Sequence, residues 1–238
     1  SLTFRGWVID TGLAKVPEYD PVLGIEALNL SDISRSSAEQ RAGRVGRDAP
    51  GNCIRLYGKD DFQQRPRFEE PEIAKSDLAS LVLAMKHLGL GRDFPFLTPP
   101  SSENWLAAED RLRSFWALTN EGVLTEHGEQ MARMSLDPGL AHFVLCGVKW
   151  RCAEDAVTIA ALLSMPRLFY RDMYDEGELE RVQKEFRNAE SDLLTLLAIW
   201  HAYEAASGSV QWCAEHYLNE PLMRTARDLR AQIVEFLA

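Results

Sequence analysis

Gln40-Arg41-Ala42-Gly43-Arg44-Val45-Gly46-Arg47 is the stretch on which the reading of this chain turns. Three arginines stand three residues apart, which on a helical start brings Arg44 and Arg47 toward one face. Two glycines allow a close approach of backbone to a neighbour. Guanidinium forks match phosphate oxygens through bidentate, charge-assisted hydrogen bonds. Gln40 both donates and accepts, as a group holding a water must. A glutamine with spaced arginines is the set that positions a water and offsets charge in phosphoryl transfer. The same string also fits a solvated basic helix end, its arginines paired with Glu39 and Asp48.

Outward from this string, the flanks read as the end of an α/β domain. Ser36 or Ser37 followed by Glu39 or Gln40 suggests a capping-box start to a short helix over 36–44, stopped by Gly46 and Pro50-Gly51. Upstream, Gly6-Trp7-Val8-Ile9-Asp10 reads as a short buried strand ending in an acid. The turn formers Asp20-Pro21-Val22-Leu23-Gly24 make a β-hairpin of 14–30. Downstream, Cys53-Ile54-Arg55-Leu56-Tyr57 is a strand. Strand, hairpin, helix and strand within 58 residues are too few to close a sheet alone.

Beyond Pro66 and Pro71 the period becomes helical. Leu78, Leu81, Val82, Met85 and Leu88 mark one helix ended by Gly89, and Trp105, Ala108, Leu112, Phe115 and Trp116 mark another. Thr119 to Thr125, with Gly122 at its turn, reads as a two-stranded wing. From Asp137 on, helices are expected at 138–150, 153–165, 178–188, 192–207, 210–218 and 221–237, the first with Asp137 as N-cap and Pro138 in its first turn. The leucines of 193–197 with Ile199 and Trp200 predict a central buried helix.

Composition sets the outer limits. The chain has 238 residues, 46% hydrophobic and 26% charged, the balance of an ordinary folded protein. Its net charge of -10 argues against non-specific nucleic-acid binding. Residues 1–70 hold 10 Lys+Arg against 11 Asp+Glu, whereas 71–238 hold 16 against 25, so the arginine string is the one cationic concentration. No apolar run is long enough for a membrane helix, and no leader pattern is visible at the start. The four cysteines lack paired spacing, which disfavours a zinc site and disulfides and predicts a reducing compartment. The five histidines show no ligand spacing, and His201 is expected to face the core; no metal-ligating residues are assigned.

At this point the string becomes specific. Gln40 to Arg47, followed by Pro50-Gly51-Asn52-Cys53-Ile54-Arg55-Leu56-Tyr57, resembles motif VI of the DEAH/RHA helicases, a superfamily 2 family whose best-known branch comprises the pre-mRNA splicing helicases. Ser1-Leu2-Thr3 resembles the end of motif V, and Val8-Ile9-Asp10-Thr11-Gly12 the strand after it. Ile33-Ser34-Arg35-Ser36-Ser37-Ala38 resembles the lead-in to motif VI. Further matches follow in family order at Pro71-Glu72-Ile73, Leu136-Asp137-Pro138, Leu162-Leu163-Ser164-Met165, Asp192 to Leu197 and Gln211-Trp212-Cys213, so the resemblance covers essentially the whole chain.

The resemblance implies a mixed fold: the end of the second RecA-like α/β domain over 1–65, a winged helix over 66–134, and a mainly α-helical ratchet bundle over 135–238. It implies that Gln40 orients the attacking water, that Arg44 and Arg47 reach the β- and γ-phosphates as arginine fingers, and that Thr3 lies by the ribose. Arg5 stands where the family commonly has an Asp and is given no role. ATP and Mg²⁺ are the implied cofactors, held mostly by a first RecA-like domain. The hairpin is wedge-like in relatives, with an ordinary surface hairpin as the competing reading. Arg171 is a candidate RNA contact, with a surface salt bridge to Asp172 or Asp175 as the alternative.

Implied partners are single-stranded RNA, a ribonucleoprotein substrate and a G-patch-type activator, with no membrane. The implied setting is nuclear for the splicing branch, with ribosome biogenesis as another pathway, and cytoplasmic otherwise. The phosphate loop and Asp-Glu-Ala-His box do not occur in the sequence, so the chain is expected to be part of a longer enzyme and inactive alone. The alternative is a non-catalytic ribonucleoprotein docking module derived from such a helicase.

Overall fold

The computed structural model describes residues 6–20, 25–45, 50–169 and 184–238. Two compact units divide the chain: Ser1–Val82 with Gly91–Asp110, and Leu83–Leu90 with Arg111–Ala238.

In the first unit, β1 (Trp7–Asp10) pairs in parallel with β4 (Asn52–Arg55), in register from Trp7 against Asn52 to Asp10 against Arg55. The connection between them carries an antiparallel hairpin of β2 (Leu13–Asp20) and β3 (Ile25–Asp32), and then α1 (Arg35–Ala42). A parallel pair requires such a long crossover, and a helix is its usual content. Asp32 closes the hairpin opposite Leu13, and α1 begins three residues later.

The cap of α1 lies earlier than the serine pattern predicts. Ser34, not Ser36 or Ser37, is the N-cap: its hydroxyl accepts from the Ser37 N–H at 3.2 Å. Ser34 is extended at φ -68°, ψ 166°, and its own N–H donates to Glu69 Oε1 at 2.8 Å. That distant carboxylate fixes the helix start, which no local pattern reveals. The helix also stops sooner, at Ala42 with Gly43 as its C-cap, so Arg44 lies in a turn rather than on a helical face.

β1 is not the buried strand expected. Asp10 is buried, but Trp7 and Ile9 are each 66% exposed. Side chains alternate across a strand, so Trp7 and Ile9 share a face with their neighbours Ile54 and Leu56, which are also exposed. The remainder of the unit comprises α2 (Lys59–Gln64), a 3₁₀ turn at Glu72–Ala74, and parts of α3 (Ala79–His87) and α4 (Ser102–Ser114). Asn104 Nδ2 donates to the Ala74 carbonyl at 3.1 Å, fastening α4 to that turn.

The second unit is helical. Leu118 and Leu124 form an isolated antiparallel bridge around Gly122, whose φ of +78° suits the tight turn. Thr125 then caps α5 (Glu126–Arg133), accepting from the Gly128 N–H at 2.9 Å. As the sequence predicts, Asp137 caps α6 (Pro138–Lys149), with Pro138 in its first turn. α7 (Ala153–Leu163), α8 (Asp192–Ala205), α9 (Val210–Glu215) and α10 (Glu220–Leu237) follow close to their expected bounds. The helix expected at 178–188 lies largely outside the described residues. Leu162, Ile199, Trp200, Tyr203, Cys213, Leu218, Met223 and Ala226 form one buried cluster.

Three expectations in this unit are corrected. Trp116 does not extend the face of α4. It adopts a left-handed φ of 59° just past the helix and is 52% exposed. His201 is exposed, because the α8 face that packs inward is the one bearing Leu197, Trp200 and Tyr203. Leu193 and Leu194, near the start of α8, are also exposed, and Leu193 lines a cavity of about 400 Å³ with Leu163, Phe169 and Leu196.

Candidate functional site

The arginine string resolves into residues with different fates. Arg41, near the end of α1, turns inward. Its Nη1 donates to Asp10 Oδ1 at 2.9 Å and its Nη2 to the Leu13 carbonyl at 3.0 Å. Asp10, not Glu39, is therefore its ionic partner, which removes Arg41 from the solvated-helix-end reading. Gln40 and Arg44 are both exposed on either side of it. The Arg44 N–H donates to the Arg41 carbonyl at 3.2 Å, and the buried Val45 anchors the turn beyond. Thr3, Arg5, Arg47 and Arg171 lie outside the described residues.

Asp10 is the centre of this arrangement. Its Oδ1 also accepts from the Gly12 N–H at 3.0 Å, and its Oδ2 from the Tyr57 hydroxyl at 2.7 Å. Burial pushes its pKa up, but the hydrogen bonds from Tyr57, Gly12 and Arg41, with the Arg41 charge, outweigh burial and hold the carboxylate below its ordinary value. Tyr57 is pushed up to about 12 by its own burial and by donating to that carboxylate. The site thus holds a fixed negative charge beneath α1, and Arg41 offsets it.

A second arginine braces the same place. Arg65, 7% exposed, donates from Nη1 to the carbonyls of Gly12 at 2.6 Å and Ile33 at 3.3 Å. Its Nη2 meets Asp32 Oδ1 at 3.1 Å, its Nε meets Asp61 Oδ1 at 2.7 Å, and its guanidinium carbon lies 4.2 Å from the centroid of the Tyr57 ring. Gly12 is required there: at φ +76° a Cβ would fall 2.6 Å from the Tyr57 ring and 2.8 Å from Arg65 Nη2. Sequence reasoning registered the acid ending β1 but missed Arg65, whose neighbours Gln64 and Pro66 carry no motif. Its two carbonyl partners are 32 and 53 residues away.

Chemically, the surface beside α1 offers exposed donors at Gln40 and Arg44 on a backbone braced from beneath. That donor set suits an anionic ligand such as a phosphate group. Among the described residues no group of three or more His, Cys, Asp or Glu side chains is placed to hold a metal ion. No described helix is long and apolar enough to cross a membrane.

The sequence also matches known proteins. The helicase-associated domain (HA2), ratchet-like, matches residues 137–196, which cover α6, α7 and the first residues of α8. Over its whole length the chain is 35% identical to the pre-mRNA-splicing factor ATP-dependent RNA helicase prp22 of Schizosaccharomyces pombe. It spans 21% of that relative's length. Both matches support the resemblance of this chain to a C-terminal region of the DEAH/RHA helicases. The fold is accordingly mostly helical with small sheets, and contains an HA2 ratchet-like domain.

Proposed function

We propose that this chain works within an ATP-dependent RNA helicase that translocates on or remodels RNA and ribonucleoprotein in pre-mRNA splicing, in the nucleus. Its first 65 residues end the second RecA-like domain, 66–134 form a winged helix, and 135–238 form the ratchet bundle. The observation that carries the reading is the sorting of the arginine string: Arg41 is held inward by Asp10, while Gln40 and Arg44 stay exposed beside it. A decayed docking module has no need of that division. The bare apolar face of Trp7, Ile9, Ile54 and Leu56 also supports it, because parallel sheets in α/β domains are covered on both faces.

In the proposed reaction, ATP with Mg²⁺ brings the phosphoanhydride that is cleaved. Arg44 and Arg47 would donate to its phosphate oxygens and offset charge as the bond from the γ-phosphorus to the ADP leaving group loosens. Gln40 holds the attacking water, accepting from it with its carbonyl and donating with its amide. Thr3 sits by the ribose. The hairpin lies along the RNA path, with Arg171 as a phosphate contact in the ratchet bundle, and a G-patch-type protein acts as activator.

The test is RNA-stimulated ATP hydrolysis by the full-length protein. Arg44→Ala and Arg47→Ala should each lower turnover by roughly 10³–10⁵-fold, the worth of an arginine finger, and leave RNA binding largely intact. A variant keeping more than about a tenth of wild-type turnover removes that arginine from the role. A wild-type protein with no hydrolysis at all favours the docking module.

A further inference from the structure

The contacts that brace α1 reach further than the nucleotide-facing turn. Helix α1 is only eight residues long, and both of its ends are tied to the base of the β2–β3 hairpin. Its N-terminal end joins β3 directly, since Asp32 is the last hairpin residue and Ser34 the cap. Its C-terminal end reaches back through Arg41 to the carbonyl of Leu13, the first residue of β2. Leu13 and Asp32 are register partners, so the two ties grip opposite strands of one hairpin at one level. Arg65 closes the frame, holding the Gly12 carbonyl, the Ile33 carbonyl and the Asp32 carboxylate.

We propose that Arg41 is a positioning residue that couples the nucleotide-facing turn to the hairpin. This rests on the function proposed above. Neutralising Asp10 would need only one arm of the guanidinium. The second arm goes instead to hairpin main chain, where it adds no charge compensation but fixes a direction. Gln40 precedes Arg41, and the Arg44 N–H is bonded to the Arg41 carbonyl. A shift of Gln40 and Arg44 toward a bound phosphate therefore moves the Arg41 turn, and the short bonded path carries that shift to Leu13. Tyr57 and Gly12 keep Asp10 fixed while this happens, so Asp10 serves as the pivot. The hairpin then takes one position with nucleotide held and another without it.

Arg41→Lys separates the two arms, because a single ammonium at the end of a flexible stem does not reproduce the fixed fork. In the full-length protein, RNA duplex unwound per ATP hydrolysed should fall by about fivefold or more, the lower end of ordinary coupling between sites. Loss of structure alone lowers unwinding and hydrolysis together, and leaves the ratio where it was; an unchanged ratio overturns the proposal. Absence of RNA-stimulated hydrolysis in the wild type overturns the underlying function instead. Should Arg41→Lys fail to fold, the wild-type protein decides the matter. Hydrogen exchange at the Ile33 amide, which is bonded to the Gly12 carbonyl at 3.0 Å, should change when a non-hydrolysable ATP analogue and Mg²⁺ are added. No change at the hairpin base, with the analogue shown to bind, overturns the coupling.

Discussion

The two units hold their key parts by different means. The first is organised around ionic and polar contacts: Asp10 with Arg41 and Tyr57, and Arg65 with Asp32, Asp61 and two carbonyls. The second is organised by apolar burial, with Leu162, Ile199, Tyr203, Met223 and Ala226 nearly or wholly removed from water. Directional contacts fix the angle of a group to within a hydrogen bond's tolerance. Burial fixes only that a face is covered. The region expected to meet a nucleotide is the one built from directional contacts, and the region expected to act as a scaffold is the one built from area.

This contrast is sharpest in what substitution does. Met223 is fully buried in the core of the second unit, and Met223→Ala should cost about 2–5 kcal/mol through lost transfer energy and the cavity left behind. Hydrogen exchange read segment by segment should show protection falling across α7, α8 and α10. A loss below about 0.5 kcal/mol would show that the cluster is not the structural centre of this unit.

Asp10→Asn is the matching break in the first unit. It keeps the shape but removes the charge facing Arg41, and should cost about 1.5–3 kcal/mol, the range for hydrogen bonds to charged groups. It should also change the acid response. The folded pKa of Asp10 lies below its unfolded value of 3.8, so its contribution is complete above that value and is lost as pH falls through the folded pKa. The wild type should therefore lose protection in 6–20 and 25–45 in that acid window. In Asp10→Asn this part of the pH dependence should vanish. A variant with the same acid limb as the wild type would show that Asp10 is not the group responsible.

The same contrast decides what is legible in the sequence. Helices α6 to α10 are readable because burial repeats with helical period and because caps such as Asp137 sit beside the helices they start. Long-range partners leave no such trace. Ser34 caps α1 with help from Glu69, and Arg65 reaches Gly12 and Ile33, across separations no window of sequence spans. The motif string locates the candidate site at Gln40 to Arg47 but says nothing of which arginine turns inward. That choice is made by Asp10, which the sequence offers only as an acid at a strand end. Apolar pattern misleads at Trp7 and Ile9, where one sheet face stays open, and at Trp116, where a left-handed residue ends the helical period.

The smallest expected effect lies where the second unit departs from its own rule and half-buries a group of polar side chains. His127 Nε2 and His142 Nδ1 are 3.0 Å apart, and Cys146 Sγ is 3.5 Å from His142 Nε2. Phe115 stacks on His142 at 5.3 Å, Trp116 meets both imidazoles, and the Lys149 ammonium stands 5.0 Å from the Trp116 centroid. Burial pulls both histidines below 6.5, helped at His127 by the charges of His142 and Lys149 and opposed at His142 by a hydrogen bond that its ring donates to the Phe115 backbone carbonyl. Both shifts favour the neutral rings, in which one imidazole can donate to the other across the 3.0 Å contact. Depressed folded values mean that the unfolded chain binds more protons below 6.5, so stability is complete above that pH and declines as pH falls through the folded values. Chemical denaturation at about pH 7.5 and about pH 5.5 should show the second unit weaker at the lower pH, and the double variant His127→Gln with His142→Gln should narrow that difference. The first unit should barely respond over this range, since Asp10, Asp61 and Glu69, which brace it, are all held below their ordinary carboxylate values. Equal pH responses in both units, or an undiminished response in the double variant, would mean that the pair does not set the acid sensitivity of the helical unit.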